Sequence, residues 1–140
     1  MRHAIKLTVL LMFLVSMMQV AGCSNPEVKR VGMVIRLKPE KMALYKEVHA
    51  DSNPGVRDII TTANMRNFSI FMHQLDDGNY YLFGYYEYIG DDFEADMAKM
   101  NSHPDVVEWL EMTDPCQIPI QNRTADEQTW ATMEQVYLNE

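Results

Sequence analysis

Tyr45 and His49 lie four positions apart, and both have side chains of a type that can transfer a proton. Residues four positions apart lie on the same face of a helix, so both side chains could enter one pocket. An imidazole gains or loses a proton near neutral pH, and a phenol can donate a proton or orient a partner through its hydroxyl. Both positions also fall in the apolar half of the predicted helix, where Tyr and His are ordinary core residues. The pair alone therefore leaves two interpretations open, an acid–base site and a structural contact.

Cys23 ends a segment with the layout of a secretory signal, in which Arg2 and Lys6 precede a mostly apolar stretch. The run Val20-Ala21-Gly22-Cys23 resembles the lipobox of bacterial lipoproteins. The resemblance implies that the chain is cleaved before Cys23 and that its thiol carries a diacylglycerol, which would hold the protein at a membrane surface. An uncleaved N-terminal anchor helix is the alternative.

The lipobox divides the chain into a signal peptide at residues 1–22, a linker at 23–29 and one domain at 30–140. The lipobox predicts a lipid-anchored protein of the cell envelope, and Ser24 rather than Asp after Cys23 favours the periplasmic face of the outer membrane. With Cys23 lipidated, Cys116 has no thiol partner, which argues against a disulfide and against a metal site of paired thiolates. We expect Cys116 to be a small buried hydrophobe.

Hydrophobic periodicity predicts alternating strands and helices along the domain. Strands are predicted at residues 30–37, 67–75, 80–89 and 130–138, and helices beginning at 38 and 53 and spanning 91–100 and 105–112. Asn53 is expected to cap the second helix, and Asp76-Asp77-Gly78-Asn79 is a strong hairpin signal. The order strand, helix, two strands, helix, strand predicts the split βαβ arrangement of α+β, ferredoxin-like domains.

The predicted third strand carries aromatic or large apolar residues on both faces between Tyr80 and Tyr88. Helices on one side of a four-stranded antiparallel sheet would leave its second face bare, and a large bare apolar face is typical of an interface. Two such sheets packed face to face form a dimeric α/β barrel. We therefore expect a homodimer with twofold symmetry.

The composition is that of a globular protein with a single domain. The chain has 140 residues, of which 47% are hydrophobic, and its 20 acidic and 12 basic residues give a formal net charge of −8. A basic stripe of the kind that binds a phosphate backbone is absent from the sequence, so we expect no nucleic-acid partner.

Seven ordered motifs across residues 30–138 resemble those of the L-rhamnose mutarotase family. They are Gly32–Ile35, Lys38–Lys41, Tyr45–Ala50, Asn67–Phe71, Leu82–Tyr88, Thr113–Gln117 and Met133–Leu138. The resemblance implies a ferredoxin-like domain that forms a dimeric barrel. It also implies an isomerase that interconverts the α and β anomers of L-rhamnose, a monosaccharide, without a metal or a cofactor.

The resemblance assigns His49 as the catalytic histidine and Tyr45 as its partner. Opening a pyranose ring requires a proton on the ring oxygen and the removal of one from the anomeric hydroxyl. Rotation of the freed aldehyde and reclosure then give the other anomer. General acid–base catalysis supplies about 10²–10⁴-fold, which suffices because uncatalysed mutarotation is already observable.

The resemblance also implies a sugar-binding set of Asn53, Asn67, Phe68, Glu108 and Trp109. Three of these residues depart from the family, which has Trp, Tyr and Trp where this chain has Asn53, Phe68 and Glu108. The loss of stacking rings and of a hydroxyl should change which sugar fits. A non-catalytic carbohydrate-binding lipoprotein that retains the fold is therefore the alternative function. A barrel of the monooxygenase or haem-handling type rests on fold analogy alone.

Overall fold

The computed structural model describes residues 27–122, 124 and 129–139. Within these residues the strands form one antiparallel sheet, and their bounds are β1 Lys29–Leu37, β2 Met65–Gln74, β3 Tyr80–Tyr88, β4 Gln117–Ile118 and β5 Ala131–Met133. The spatial order is β2-β3-β1, and the short strands β4 and β5 both pair with the remaining edge of β1. This order confirms the predicted ferredoxin-like α+β fold.

The helices come in two pairs, one between β1 and β2 and one between β3 and β4. They are α1 Met42–Val48, α2 Arg57–Thr62, α3 Phe93–Asn101 and α4 Pro104–Thr113. Short 3₁₀ turns at Pro39–Lys41 and Asp114–Cys116 precede α1 and follow α4. Proline at a first turn fits because its fixed φ suits a helix and its missing N–H is not needed there. The Asp92 side chain caps α3 by accepting a hydrogen bond from Ala95 N at 3.1 Å.

The core lies between the sheet and the helices. Alternate residues of β1 and β3 point into it, so that Ile35, Leu37 and Leu82 are fully buried together with Cys116. Tyr45 of α1 packs against this group. The burial of Cys116 confirms the prediction that it is a small core residue.

The opposite sheet face carries aromatic side chains, as expected from the β3 sequence. Tyr81, Phe83 and Tyr85 are half-buried and alternate with the buried residues of β3. Phe71 of β2 lies opposite Phe83 in the strand register and is 64% exposed. We call Phe71, Tyr81, Phe83 and Tyr85 the aromatic face.

The second helix begins later than predicted. It starts at Arg57, and Asn53 does not cap it. The φ of Gly55 is +51°, which lies in the left-handed region and interrupts any helix that begins at Asn53. The Asn53 Oδ1 atom instead accepts a hydrogen bond from Gly55 N at 3.1 Å, which closes a tight turn between α1 and α2.

The last strand is shorter than the predicted 130–138. It covers Ala131–Met133, with Met133 opposite Gly32. In this register residues 137 and 138 would extend beyond Lys29, where β1 begins, and would have no partner on that strand. Val136 and Tyr137 are accordingly 87% and 77% exposed.

In the described ranges, none of the helices combines the length and the apolar character needed to cross a membrane. The same ranges contain no group of three or more His, Cys, Asp or Glu side chains that could hold a metal ion. The predicted signal peptide, Cys23 and most of the predicted linker lie outside the described residues.

Candidate active site

A cavity of about 570 Å³ lies between the sheet and helices α1, α2 and α4. Its volume is within the range usual for small-molecule sites. Of the residues predicted for the site, the cavity is lined by Tyr45, His49, Asn67, Phe68 and Trp109. The structure therefore brings the predicted proton-transfer pair and three predicted binding residues into one place.

His49 directly follows the last residue of α1, and its ring orientation is set by the backbone of the preceding turn. The Nδ1 atom lies 2.7 Å from the carbonyl oxygen of Tyr45. Because a carbonyl oxygen only accepts, Nδ1 must carry the proton and donate it. In the neutral ring the other nitrogen, Nε2, then has a free lone pair and is the basic atom.

Burial holds His49 in the neutral form. The half-buried position lowers the pKa of His49 below its usual value, because the imidazolium would lose hydration. The hydrogen bond to the Tyr45 carbonyl opposes this by raising the pKa, and the positive charge of Arg57 lowers it again. The net direction is downward, so His49 can serve as a base at neutral pH.

Tyr45 stacks on His49, with ring centroids 4.1 Å apart and an angle of 26° between the planes. Only 5% of Tyr45 is exposed. Burial is the main cause that raises the pKa of its hydroxyl, and the neighbouring Cys116 raises it further, whereas a hydrogen bond with the Gln117 side chain lowers it. Tyr45 therefore keeps its proton at neutral pH, and its hydroxyl is present as a neutral phenol that can donate a hydrogen bond.

Trp109 of α4 meets the edge of His49, with ring centroids 5.0 Å apart and an angle of 72°. Its indole also covers Gly55, where a Cβ atom would lie 2.9 Å from the ring. The close approach and the positive φ both require glycine at this position. The turn between α1 and α2 thereby helps to fix the ring that borders His49.

Asn67 and Phe68 lie on an irregular stretch of β2, where the register with β3 shifts between Arg66 and Ser69. Asn67 has a φ of +54°, a conformation that Asn tolerates better than most residues. Its side-chain amide donates to Glu87 at 2.9 Å. The irregularity places the ring of Phe68 in a stack with Tyr86, at a centroid distance of 5.8 Å.

The other two predicted binding residues are Asn53 and Glu108. Neither is among the described residues that line the cavity. Asn53 lies in the tight turn before α2, where its side chain is engaged with Gly55. Glu108 is exposed on α4, one position before Trp109. Their side chains are therefore not in the wall around His49.

Arg57 is a lining residue that the sequence analysis did not identify. Its guanidinium donates to the backbone oxygens of Asn53, His49 and Ala50, the last two at 3.0 and 3.3 Å. These bonds satisfy carbonyl groups that follow the end of α1. Nothing in its surrounding sequence indicated this role, because Arg57 has the pattern of a polar helix residue.

Gln117 is a second lining residue that the sequence analysis missed. It is 8% exposed and opens β4 directly after the 3₁₀ turn that ends α4. Its position at the end of the motif Thr113–Gln117 was the available signal.

Comparisons with solved structures support the fold. An L-rhamnose mutarotase from Formosa agariphila superposes with a TM-score of 0.55 at 17% identity, covering 80% of this chain and 99% of its own. Tetracenomycin F2 cyclase from Streptomyces glaucescens, a type-II polyketide cyclase, superposes with a TM-score of 0.53 at 17% identity and the same coverage. At such identity these similarities show the shared fold alone.

Comparisons of sequence identify the family. No curated protein sequence matches this chain significantly. A family model described as L-rhamnose mutarotase, however, matches residues 30–138, which is most of the chain and coincides with the range of the seven motifs. The chain therefore belongs to the L-rhamnose mutarotase family.

Proposed function

We propose that this protein interconverts the α and β anomers of L-rhamnose or a related sugar. The observation that carries the proposal is the pair of Tyr45 and His49, a protonated phenol stacked on a neutral imidazole in one cavity. Membership of the mutarotase family supports a carbohydrate isomerase. The reaction needs one base and one acid close together, and the pair supplies both.

In the proposed mechanism, His49 Nε2 takes the proton of the anomeric hydroxyl while the Tyr45 hydroxyl gives its proton to the ring oxygen. The bond between the anomeric carbon and the ring oxygen breaks, which leaves an aldehyde and a free hydroxyl. Rotation presents the other face of the aldehyde. On reclosure the phenolate recovers its proton from the attacking hydroxyl and the imidazolium returns the other one, so the enzyme ends unchanged.

Aromatic rings near the pair are suited to the apolar face of a sugar. Trp109 borders His49, and Phe68 lines the same cavity from β2. A pyranose presents C–H groups on one side and hydroxyls around its rim, and such a ligand needs an apolar wall with a few polar groups. We propose that these two rings bind the sugar, with Asn67 as a polar neighbour.

Exchange NMR of the purified protein with L-rhamnose, L-fucose and L-lyxose tests the proposal. We expect exchange between the two anomer signals of at least one sugar to accelerate. His49→Ala should abolish this acceleration, whereas His73→Ala, which removes an exposed histidine of β2, should leave it unchanged. Sugar binding without accelerated exchange would instead favour the carbohydrate-binding alternative, and neither binding nor exchange would refute both.

We propose further that Cys23 carries a lipid and anchors the domain at the periplasmic face of the outer membrane. The support is the run Val20-Ala21-Gly22-Cys23 after an apolar segment. Cys23→Ser should stop processing and leave the precursor with residues 1–22 attached. A processed chain of unchanged membrane affinity in this variant would refute the lipobox interpretation.

We also propose that the domain forms a homodimer through its aromatic face. Phe71 is 64% exposed there, beside three half-buried aromatic residues of β3. Contiguous apolar surface of this kind is characteristic of protein–protein contacts. A second copy fits because a twofold axis would bring the same patch onto itself.

A further inference from the structure

Two residues of β2, Asn67 and Phe68, lie opposite the single residue Tyr86 of β3, because the register between the strands shifts at this point. This arrangement is a β-bulge. Side chains of a regular strand alternate between the two sheet faces, so without the bulge Phe68 would pair with Tyr85 on the aromatic face. With the bulge, the Phe68 ring lines the cavity and stacks on Tyr86 with an angle of 8° between the planes. The bulge therefore determines on which side of the sheet Phe68 lies.

The bulge depends on the backbone conformation of Asn67, whose φ is +54°. A left-handed first residue is typical of one class of β-bulge, in which that residue is usually glycine. A residue with a Cβ is strained in this region, and Asn tolerates it best when its side chain has a hydrogen-bond partner. An interaction that holds the Asn67 side chain therefore also stabilises the bulge.

The half-buried side chain of Glu87 supplies that interaction. Its Oε2 atom accepts a hydrogen bond from Asn67 Nδ2 at 2.9 Å, and its Oε1 atom accepts one from the Tyr85 hydroxyl at 2.9 Å. Because an ionised carboxylate only accepts, the amide of Asn67 must present its N–H to Glu87. Hydrogen bonds to an ionised acceptor are stronger than those between neutral groups. The bond from Tyr85 holds the carboxylate in place, and the carboxylate holds Asn67.

We propose that Glu87 is a positioning residue that holds Asn67 in its left-handed conformation and thereby keeps the Phe68 ring in the cavity. Glu87 is not among the described residues that line the cavity, so it acts through its neighbour. Its effect on the sugar rests on the proposed function, in which Phe68 binds the apolar side of the ligand. The proton-transfer pair belongs to α1 and its end, so Glu87 should affect sugar binding more than the chemical step.

Two substitutions separate hydrogen bonding from packing at Glu87. Glu87→Met keeps the length of the side chain and removes both acceptors, so KM for anomer exchange should rise about two- to ten-fold, the range for a lost aromatic contact, with kcat changed less. Glu87→Gln can still accept from Asn67 and can donate to the Tyr85 oxygen, so its KM should stay near that of the parent. Glu111→Met, at an exposed position of α4, is the matched control and should have no effect. An unchanged KM in Glu87→Met, or an equal rise in Glu87→Gln, would overturn the proposal.

A double-mutant cycle with Asn67→Gly tests whether Glu87 acts through Asn67. Glycine adopts a positive φ without help from a side chain, so the bulge should persist in this variant. In the Asn67→Gly background, Glu87→Met should therefore raise KM no further. An equal rise in both backgrounds would overturn the proposal, because Glu87 would then act by another route.

Nuclear Overhauser effects between the ring protons of Phe68 and Tyr86 give a readout that does not need activity. They should be present in the parent, lost in Glu87→Met and restored when Asn67→Gly is added. Asn67→Ala gives the same test at an exposed position if Glu87→Met does not fold, and it should lose them as well. Ring contacts that persist in the folded variants would overturn the proposal. Contacts that respond as expected in a protein that accelerates no anomer exchange would support the positioning role and refute the proposed function instead.

Discussion

The hydrogen bond from His49 Nδ1 to the Tyr45 carbonyl is the single contact that decides the chemistry of the residues in the cavity. This hydrogen bond fixes the tautomer of His49 and leaves the lone pair of Nε2 on the side of the ring away from the backbone. The carbonyl group that accepts the bond belongs to α1, the helix that His49 follows. The rotamer of the base therefore depends on α1 keeping its last turn. The Arg57 guanidinium donates hydrogen bonds to the backbone carbonyls that follow α1. Arg57 therefore stabilises the position of the His49 ring without contacting the ring nitrogens.

The pH dependence of catalysis follows from the lowered pKa of His49. The base is active when neutral, so activity should persist as pH falls through 6.5, the usual histidine value, and decline only below it. Arg57→Gln removes a positive charge that disfavours the imidazolium, so the pKa of His49 should rise. The acidic limb of the pH profile, where activity falls as His49 becomes protonated, should then move to higher pH. Profiles of kcat/KM against pH report this limb.

Arg57→Lys is the control for that experiment, because it keeps the charge while it loses the forked donor. Its acidic limb should stay near that of the parent protein. An acidic limb that lies above pH 6.5 in the parent would contradict the assignment of His49 as a buried neutral base. An NMR titration of the His49 ring gives the same pKa independently of activity.

The roles of single residues were predicted from the resemblance to the family, and spacing added only which side chains share a face. Tyr45 and His49 share a helix face, and that geometry is visible in the sequence. Gln117 and Tyr45 are 72 positions apart and line the same cavity only because β4 pairs with β1. Contacts of this kind depend on tertiary packing, and no local pattern encodes them.

The turn between α1 and α2 is the element on which the shape of the cavity depends most directly. Gly55→Ala should lower the free energy of unfolding by about 1–2 kcal/mol, because a residue with a Cβ is strained at positive φ. The new Cβ would also press on Trp109 and displace the ring that borders His49. We therefore expect a lower rate of anomer exchange together with the lower stability, measured by denaturant unfolding and exchange NMR.

Gly78→Ala is the matched control at the hairpin. Its φ is also positive, at +76°, but a Cβ there would meet nothing within 4 Å. It should show a comparable loss of stability with an unchanged rate. Equal rates in Gly55→Ala and in the parent protein would show that the position of Trp109 is unimportant for catalysis.

Elements with regular alternation were predicted well, and irregular ones were not. The β3 prediction of 80–89 agrees with Tyr80–Tyr88, because every second residue is buried. The stretch at Asn67 and Phe68 was predicted to be part of a regular strand, and its register shift comes from a backbone conformation that many sequences allow. The last strand was predicted too long because its apolar pattern continues beyond the end of its partner β1.

At the scale of the whole molecule, the proposed dimer gives the most direct test. A stable interface of this type commonly buries about 2,000 Å² or more in total, so the protein should sediment as a dimer at micromolar concentration. Phe71→Glu places a charge on the aromatic face at a residue that is already exposed, so it should yield a folded monomer. Sedimentation analysis of both proteins checks this.

Val107→Glu is the control for the dimer experiment. Val107 is 45% exposed on α4, away from the aromatic face, and the substitution adds the same charge. This variant should remain dimeric. A parent protein that is monomeric at micromolar concentration would refute the dimer. A Phe71→Glu variant that remains dimeric would show that the interface lies on another surface.

The alternation of β3 also limits how this protein can change. Leu82 and Tyr86 face the core while Tyr81, Phe83 and Tyr85 form the other side of the same strand. Deleting or inserting one residue within β3 would turn every later side chain to the opposite face, exchanging core for surface in a single step. Point substitutions act on one side at a time and leave the other intact. In a library of single-residue insertions, very few insertions within β3 should therefore give folded protein. Insertions in the exposed turn at residues 76–79 should be tolerated.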